Sequence, residues 1–206
     1  MVVTGDHHIV IIYYDEENSR LKMLYSDEVT GGNPTAEISW TESSINFPEY
    51  VGSYVSMDID SSGHIHISAF DVTDSDLSYI YIDNYAAISC THVSVDQFGS
   101  VGNWTKIKVN SSGVPYIAYC NATEYGQRDA IKLAYAKDAA SALLQGVESG
   151  TRYTTGNLEY MTVPTITPAQ GGDSKFQNVC LDFDSHGKPV VGYLGTNLEF
   201  GKALGE

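Results

Sequence analysis

Between residues 55 and 70 apolar and polar positions alternate. Val55, Met57 and Ile59 alternate with Ser56, Asp58 and Asp60, and Ile65, Ile67 and Ala69 with His64, His66 and Ser68. A period of two marks a strand with one face buried. Between the runs stands Asp60-Ser61-Ser62-Gly63. Asp there bonds its own downstream backbone, and Gly takes a positive φ without strain. The stretch predicts two antiparallel strands joined by a tight corner. The same unit returns as IKVNSSGVPYIAYC from residue 107 and as LDFDSHGKPVVGYL from residue 181.

Further strands flank each unit. The second repeat predicts strands over 54–60, 64–71, 77–83 and 88–96. The third predicts 104–110, 114–121 and 131–137, and the last 178–184, 188–194 and 198–203. In the first repeat, 8–15, 20–27 and 36–44 read as strands, and only Met1-Val2-Val3 stands where an opening strand belongs. Residues 138–172 break the repeat as an insertion, with a short helix over 138–149 and a proline-bounded edge strand over 161–168. The polar closers of the second strands, Asp15, Asp71 and Asn121, with Gly195 in the same place, lie 56, 50 and 74 residues apart. Roughly 40–50 residues holding four short strands is the length of a propeller blade, which buries its faces only by stacking on neighbours.

These corners, each followed by a strand closing on Tyr or Phe, then Asp or Asn, and by a leucine-led third strand, resemble the β-propeller repeats of bacterial and archaeal surface proteins, distant relatives of the sialidase-type propellers. The corner differs from the sialidase Asp-box, since Asp60 and Asp184 lie three residues before Gly rather than two. The resemblance implies an all-β chain of four-stranded antiparallel blades over 1–46, 47–98, 99–170 and 171–206. An incomplete first and last blade imply part of a larger ring, or open ends that pair across subunits.

Composition narrows the partners. Eleven Lys and Arg face 26 Asp and Glu, a formal charge of −15. Such a surface repels nucleic-acid backbones. No apolar run reaches the roughly 18–20 residues that span a bilayer, so membrane insertion is not expected. Cys90, Cys120 and Cys180 are widely spaced, with no CxxC, which fits neither a disulfide framework nor a zinc site.

Candidate chemistry is sparse. No GxSxG elbow, HExxH, Walker or Rossmann glycine pattern occurs. A sialidase needs converging arginines, and Arg20, Arg128 and Arg152 do not occupy matched innermost positions. Asp58 and Asp182 occupy matching positions on innermost strands, where two carboxylates could serve a glycoside hydrolase or a polysaccharide lyase. Lys108 fills the same position in the third repeat, so either sign is tolerated there. Asp60, Asn110 and Asp184 read as turn formers. His7, His64, His66 and His186 flank the corners, and two His at i and i+2 share a strand face suited to a metal such as zinc. The competing reading is exposed polar positions of half-buried strands. Tyr54 and Trp104 precede first strands at matched positions, where their rings could stack on a sugar or pack between blades.

The expected function is a non-catalytic recognition or scaffold module of a secreted or cell-surface protein, binding protein or glycan without a cofactor. The alternatives are the hydrolase or lyase, and a structural subunit self-assembling through incomplete terminal blades.

Overall fold

The computed structural model describes residues 1–29, 37–43, 45–86, 90–97, 99–121, 130–136, 158–162, 177–194 and 198–202. The protein is all-β, and no helix occurs among the described residues. Four antiparallel sheets follow one another in chain order. The first joins β1 (Val2–Val3), β2 (Ile9–Asp15), β3 (Arg20–Ser26) and β4 (Trp40–Glu42). The second joins β5 (Val51–Ile59), β6 (Ile65–Asp71), β7 (Leu77–Ile82) and β8 (Thr91–Asp96). The third joins β9 (Val101–Val109), β10 (Pro115–Asn121), β11 (Ala130–Ala136) and β12 (Leu158–Thr162). Three described strands form the fourth: β13 (Gln177–Phe183), β14 (Pro189–Leu194) and β15 (Leu198–Lys202). Every sheet is a meander, each strand pairing with its neighbour in sequence.

The sheets bury their faces against each other. Val10, Ile12, Leu21 and Met23 of the first pack on Ile65, Ile67, Ile80 and Ile82 of the second. Leu77, Tyr79 and Val95 of the second pack on Ile107, Ile117 and Tyr119 of the third. Ala118, Cys120, Ile131 and Leu133 meet Val179, Leu181, Val191 and Tyr193 of the fourth. Burial of these aliphatic and aromatic side chains supplies the main driving force for the stack. The first strands lie together, β9 beside both β5 and β13.

Three expectations change. Alternation implied half-buried strands, but β6 is buried on both faces, and His66 (1% exposed) and Ser68 (0%) lie inside. A central strand of a sheet covered on both sides offers no solvent face. Second, Val2 and Val3 do form an opening strand, paired with Val10 and Ile9. The outer strand of the third sheet begins at Leu158, earlier than expected. The helix over 138–149 lies outside the described residues.

Candidate functional site

All four first-to-second strand corners have one construction. In the second sheet the Asp60 N–H donates to the His64 carbonyl and the Gly63 N–H to the Asp60 carbonyl, while Asp60 Oδ1 accepts from the Ser62 and His64 N–H groups. Asn110 and Asp184 repeat this network. Thr4 repeats most of it, its hydroxyl accepting from the His8 N–H at 2.9 Å. The corner Thr4-Gly5-Asp6-His7 has Thr where the others open on Asp or Asn, and His where they close on Gly. Aligning its closing His8-Ile9 with His64-Ile65 would have revealed it.

Counting back six residues from Asp60, Asn110 and Asp184 reaches Tyr54, Trp104 and Asn178. All three have left-handed backbone, with φ of 55°, 50° and 54°. The ladders of β5, β9 and β13 with their second strands slip in register around these positions. These three first strands thus carry a bulge at the same place, so Tyr54 and Trp104 stand inside their strands rather than before them. The bulge breaks the alternation, which is why periodicity began the strands three residues late. A bulky residue at positive φ costs about 1–2 kcal/mol and persists only where its surroundings hold it. Two residues before Trp104, Gly102 lets the second sheet approach, because a Cβ there would stand 2.8 Å from the Leu77 Cα.

The bulges bring the Tyr54 and Trp104 rings together, centroids 4.9 Å apart and planes tilted by 38°. Phe70 extends the row, edge-on to Tyr54 at 6.2 Å. Tyr54 is 44% exposed, whereas Trp104 is partly buried against the core between the third and fourth sheets. One ring of the pair is therefore open to solvent, and the other packs between sheets.

Asp58 spans the gap between first strands. Its Oδ2 accepts from the Val109 N–H at 2.9 Å, and Ser56 Oγ accepts from the Ile107 N–H at 3.2 Å. Two side chains of β5 thereby satisfy donors on β9 that its pairing with β10 leaves free. The Lys108 ammonium lies 4.0 Å from Asp58 Oδ2. Asp182, on another sheet, is exposed, and its Oδ1 accepts from the adjacent Phe183 N–H.

His64 and His66 converge on Asp60. His64 Nδ1 donates to Asp60 Oδ2 at 2.8 Å, and His66 Nε2 lies 3.5 Å from the same oxygen. Burial would raise the Asp60 carboxyl, but the His64 backbone N–H, the His64 ring and the Ser62 N–H hold it below the ordinary range. Burial pushes the His66 imidazole down, against the pull of Asp60, and pushes the Tyr79 hydroxyl up. Tyr79 therefore keeps its proton and donates to His66 Nδ1 at 2.7 Å, which leaves the ring proton on Nε2, facing Asp60. His7 lies on the corner of the first sheet, and His186 on that of the fourth, 3.9 Å from Asp184. Among the described residues no group of three or more His, Cys, Asp or Glu is arranged to hold a metal. A cavity of about 480 Å³ opens between the first two sheets, walled by Thr4, Asp6, Asp60, Ser62, Asp83 and Tyr85.

One feature of the ring-pair region, the bulge, escapes the alternation of apolar and polar positions. The matched stretches VGSYVS and VGNWTK, with Gly two residues before the aromatic, carry the signal for the bulge.

No protein-family model matches the chain. No curated protein matches it in sequence. Among solved structures, an endo-arabinase from Bacteroides thetaiotaomicron is similar at 12% identity with a TM-score of 0.40, covering 95% of this chain and 74% of that one.

Proposed function

We propose that the chain is a β-propeller recognition module, non-catalytic and acting outside the cytoplasm, whose ligand is a glycan seated on the Tyr54–Trp104 pair. Support for the propeller comes from successive meanders that stack in chain order with their first strands adjacent. The single observation that carries the binding reading is the ring pair itself. Bulges at the same place in β5 and β9 hold two aromatic rings at 4.9 Å, and one of the two is exposed. Bulges concentrate where a strand must re-aim a side chain. A pyranose ring presents an apolar C–H face, which an aromatic face covers without breaking the hydrogen bonds its hydroxyls make to water.

Binding suits this geometry better than hydrolysis. Asp58 is held by the Val109 N–H, and among the described residues Asp182 bonds its own neighbour's backbone alone. The test is calorimetric titration with a panel of oligosaccharides, alongside Trp fluorescence. At least one should bind and shift the Trp104 emission, and Tyr54→Ala should weaken it by about tenfold. Undiminished binding by Tyr54→Ala, or no binding across the panel, would remove the reading.

A further inference from the structure

We propose that the glycan on the Tyr54–Trp104 pair carries a carboxylate, as a uronic-acid residue does, and that Lys106 binds it. This rests on the ring-pair reading above and names its ligand class. Lys106 is exposed on β9, two residues beyond Trp104, which is about 7 Å of extended strand. Thr105 and Ile107 turn toward the second sheet. The Thr105 hydroxyl donates to Ser68 Oγ at 2.8 Å, and Ile107 joins the core with Leu77. Alternation therefore sends Lys106 to the opposite face of β9, the side on which Trp104 meets the core between the third and fourth sheets.

Charge pairing singles this lysine out. Acidic residues outnumber basic ones 26 to 11, so a lysine finds a carboxylate easily. Arg20, Lys22, Lys108 and Lys132 each have one within 4.0 Å. Lys106 has none among the described residues. At the matching position the neighbouring first strands carry Ser56 and Cys180, neither of which supplies a counter-charge. An unpaired ammonium two residues along the strand from an aromatic platform fits a ring that presents an apolar face and an anionic edge. The net charge of −15 repels a polyanion at long range, so the ligand is an isolated acidic sugar in a mostly neutral chain rather than a polyuronate.

The experiment titrates the whole chain with pairs of oligosaccharides, each containing one glucuronic acid residue and its carboxyl-reduced counterpart. Wild type should bind an acidic member about tenfold more tightly than its reduced partner, the worth of one charge-assisted contact. Lys106→Met should bind both equally, while Lys106→Arg keeps the preference. Because Lys106 is exposed, an unchanged urea midpoint will show that the Met variant is folded. Equal binding of both members by wild type, or a preference that survives in Lys106→Met, overturns the role of Lys106 alone. In either case loss of binding in Tyr54→Ala still upholds the ring pair. Failure of every pair to bind overturns both.

Discussion

His7 and Gly63 occupy the same corner position in successive sheets. Each has left-handed backbone, φ 65° and 87°, and each donates its N–H to the carbonyl three residues earlier. Gly113 and Gly187, with φ of 78° and 74°, complete the set. The first corner alone places a side chain there, and that side chain is exposed. His7→Gly should therefore raise stability by about 1 kcal/mol, the left-handed penalty it removes. Gly63→Ala should lower it by a similar amount. Urea midpoints check both, and a loss of stability in His7→Gly would mean that the imidazole holds the corner through contacts of its own.

The bulge at Tyr54 separates strain from recognition. Tyr54→Gly and Tyr54→Ala both remove the ring, but only glycine relaxes a φ of 55°. The glycine variant should be the more stable of the two by about 1 kcal/mol. Both should lose glycan binding to the same degree. If the glycine variant kept binding, the ring would be packing rather than platform.

Much of this architecture is written in the chain as repetition. The three Asx corners and the apolar runs between them place twelve or more strands, because both signals are local. The bulges escape the alternation and leave only the matched VGSYVS and VGNWTK as a trace, since a left-handed residue within a strand depends on how the next sheet packs. Gly102, required by the approach of Leu77, illustrates this. Nor was the burial of His66, which follows from two flanking sheets rather than from its own strand. Of the site, Tyr54 and Trp104 were visible as matched aromatics, but their contact across sheets was not. Asp58 was legible as a carboxylate on an innermost strand, but the edge N–H that it accepts from was not.

That edge contact gives Asp58 and Asp182 different weights despite matched positions. Asp58→Ala leaves the Val109 N–H without its acceptor and Lys108 without its nearest carboxylate. It should cost about 1–3 kcal/mol. Asp182→Ala removes only an exposed local bond and should stay within about 0.5 kcal/mol of wild type. Denaturant unfolding of the two variants decides this. Equal small losses would show that water replaces Asp58 at the β9 edge.

Asp76 sets the direction of a pH response. It is 5% exposed, and burial, then the neighbouring Asp74 and Asp71 carboxylates, push its carboxyl up to about 6. Between its ordinary value near 4 and 6 the folded chain holds a proton there that the unfolded chain has released. This group's contribution is therefore fully present below about pH 4 and is lost as pH rises through 6. Asp76→Asn keeps the neutral form at every pH and should be indifferent below about pH 4. Above pH 6 it should gain stability over wild type, on the order of 2 kcal/mol. The measurement is the difference in unfolding free energy between variant and wild type at half-unit steps from pH 4 to 8. A difference that stays flat, or that falls as pH rises, would show that Asp76 is ionised in the folded protein and partnered there.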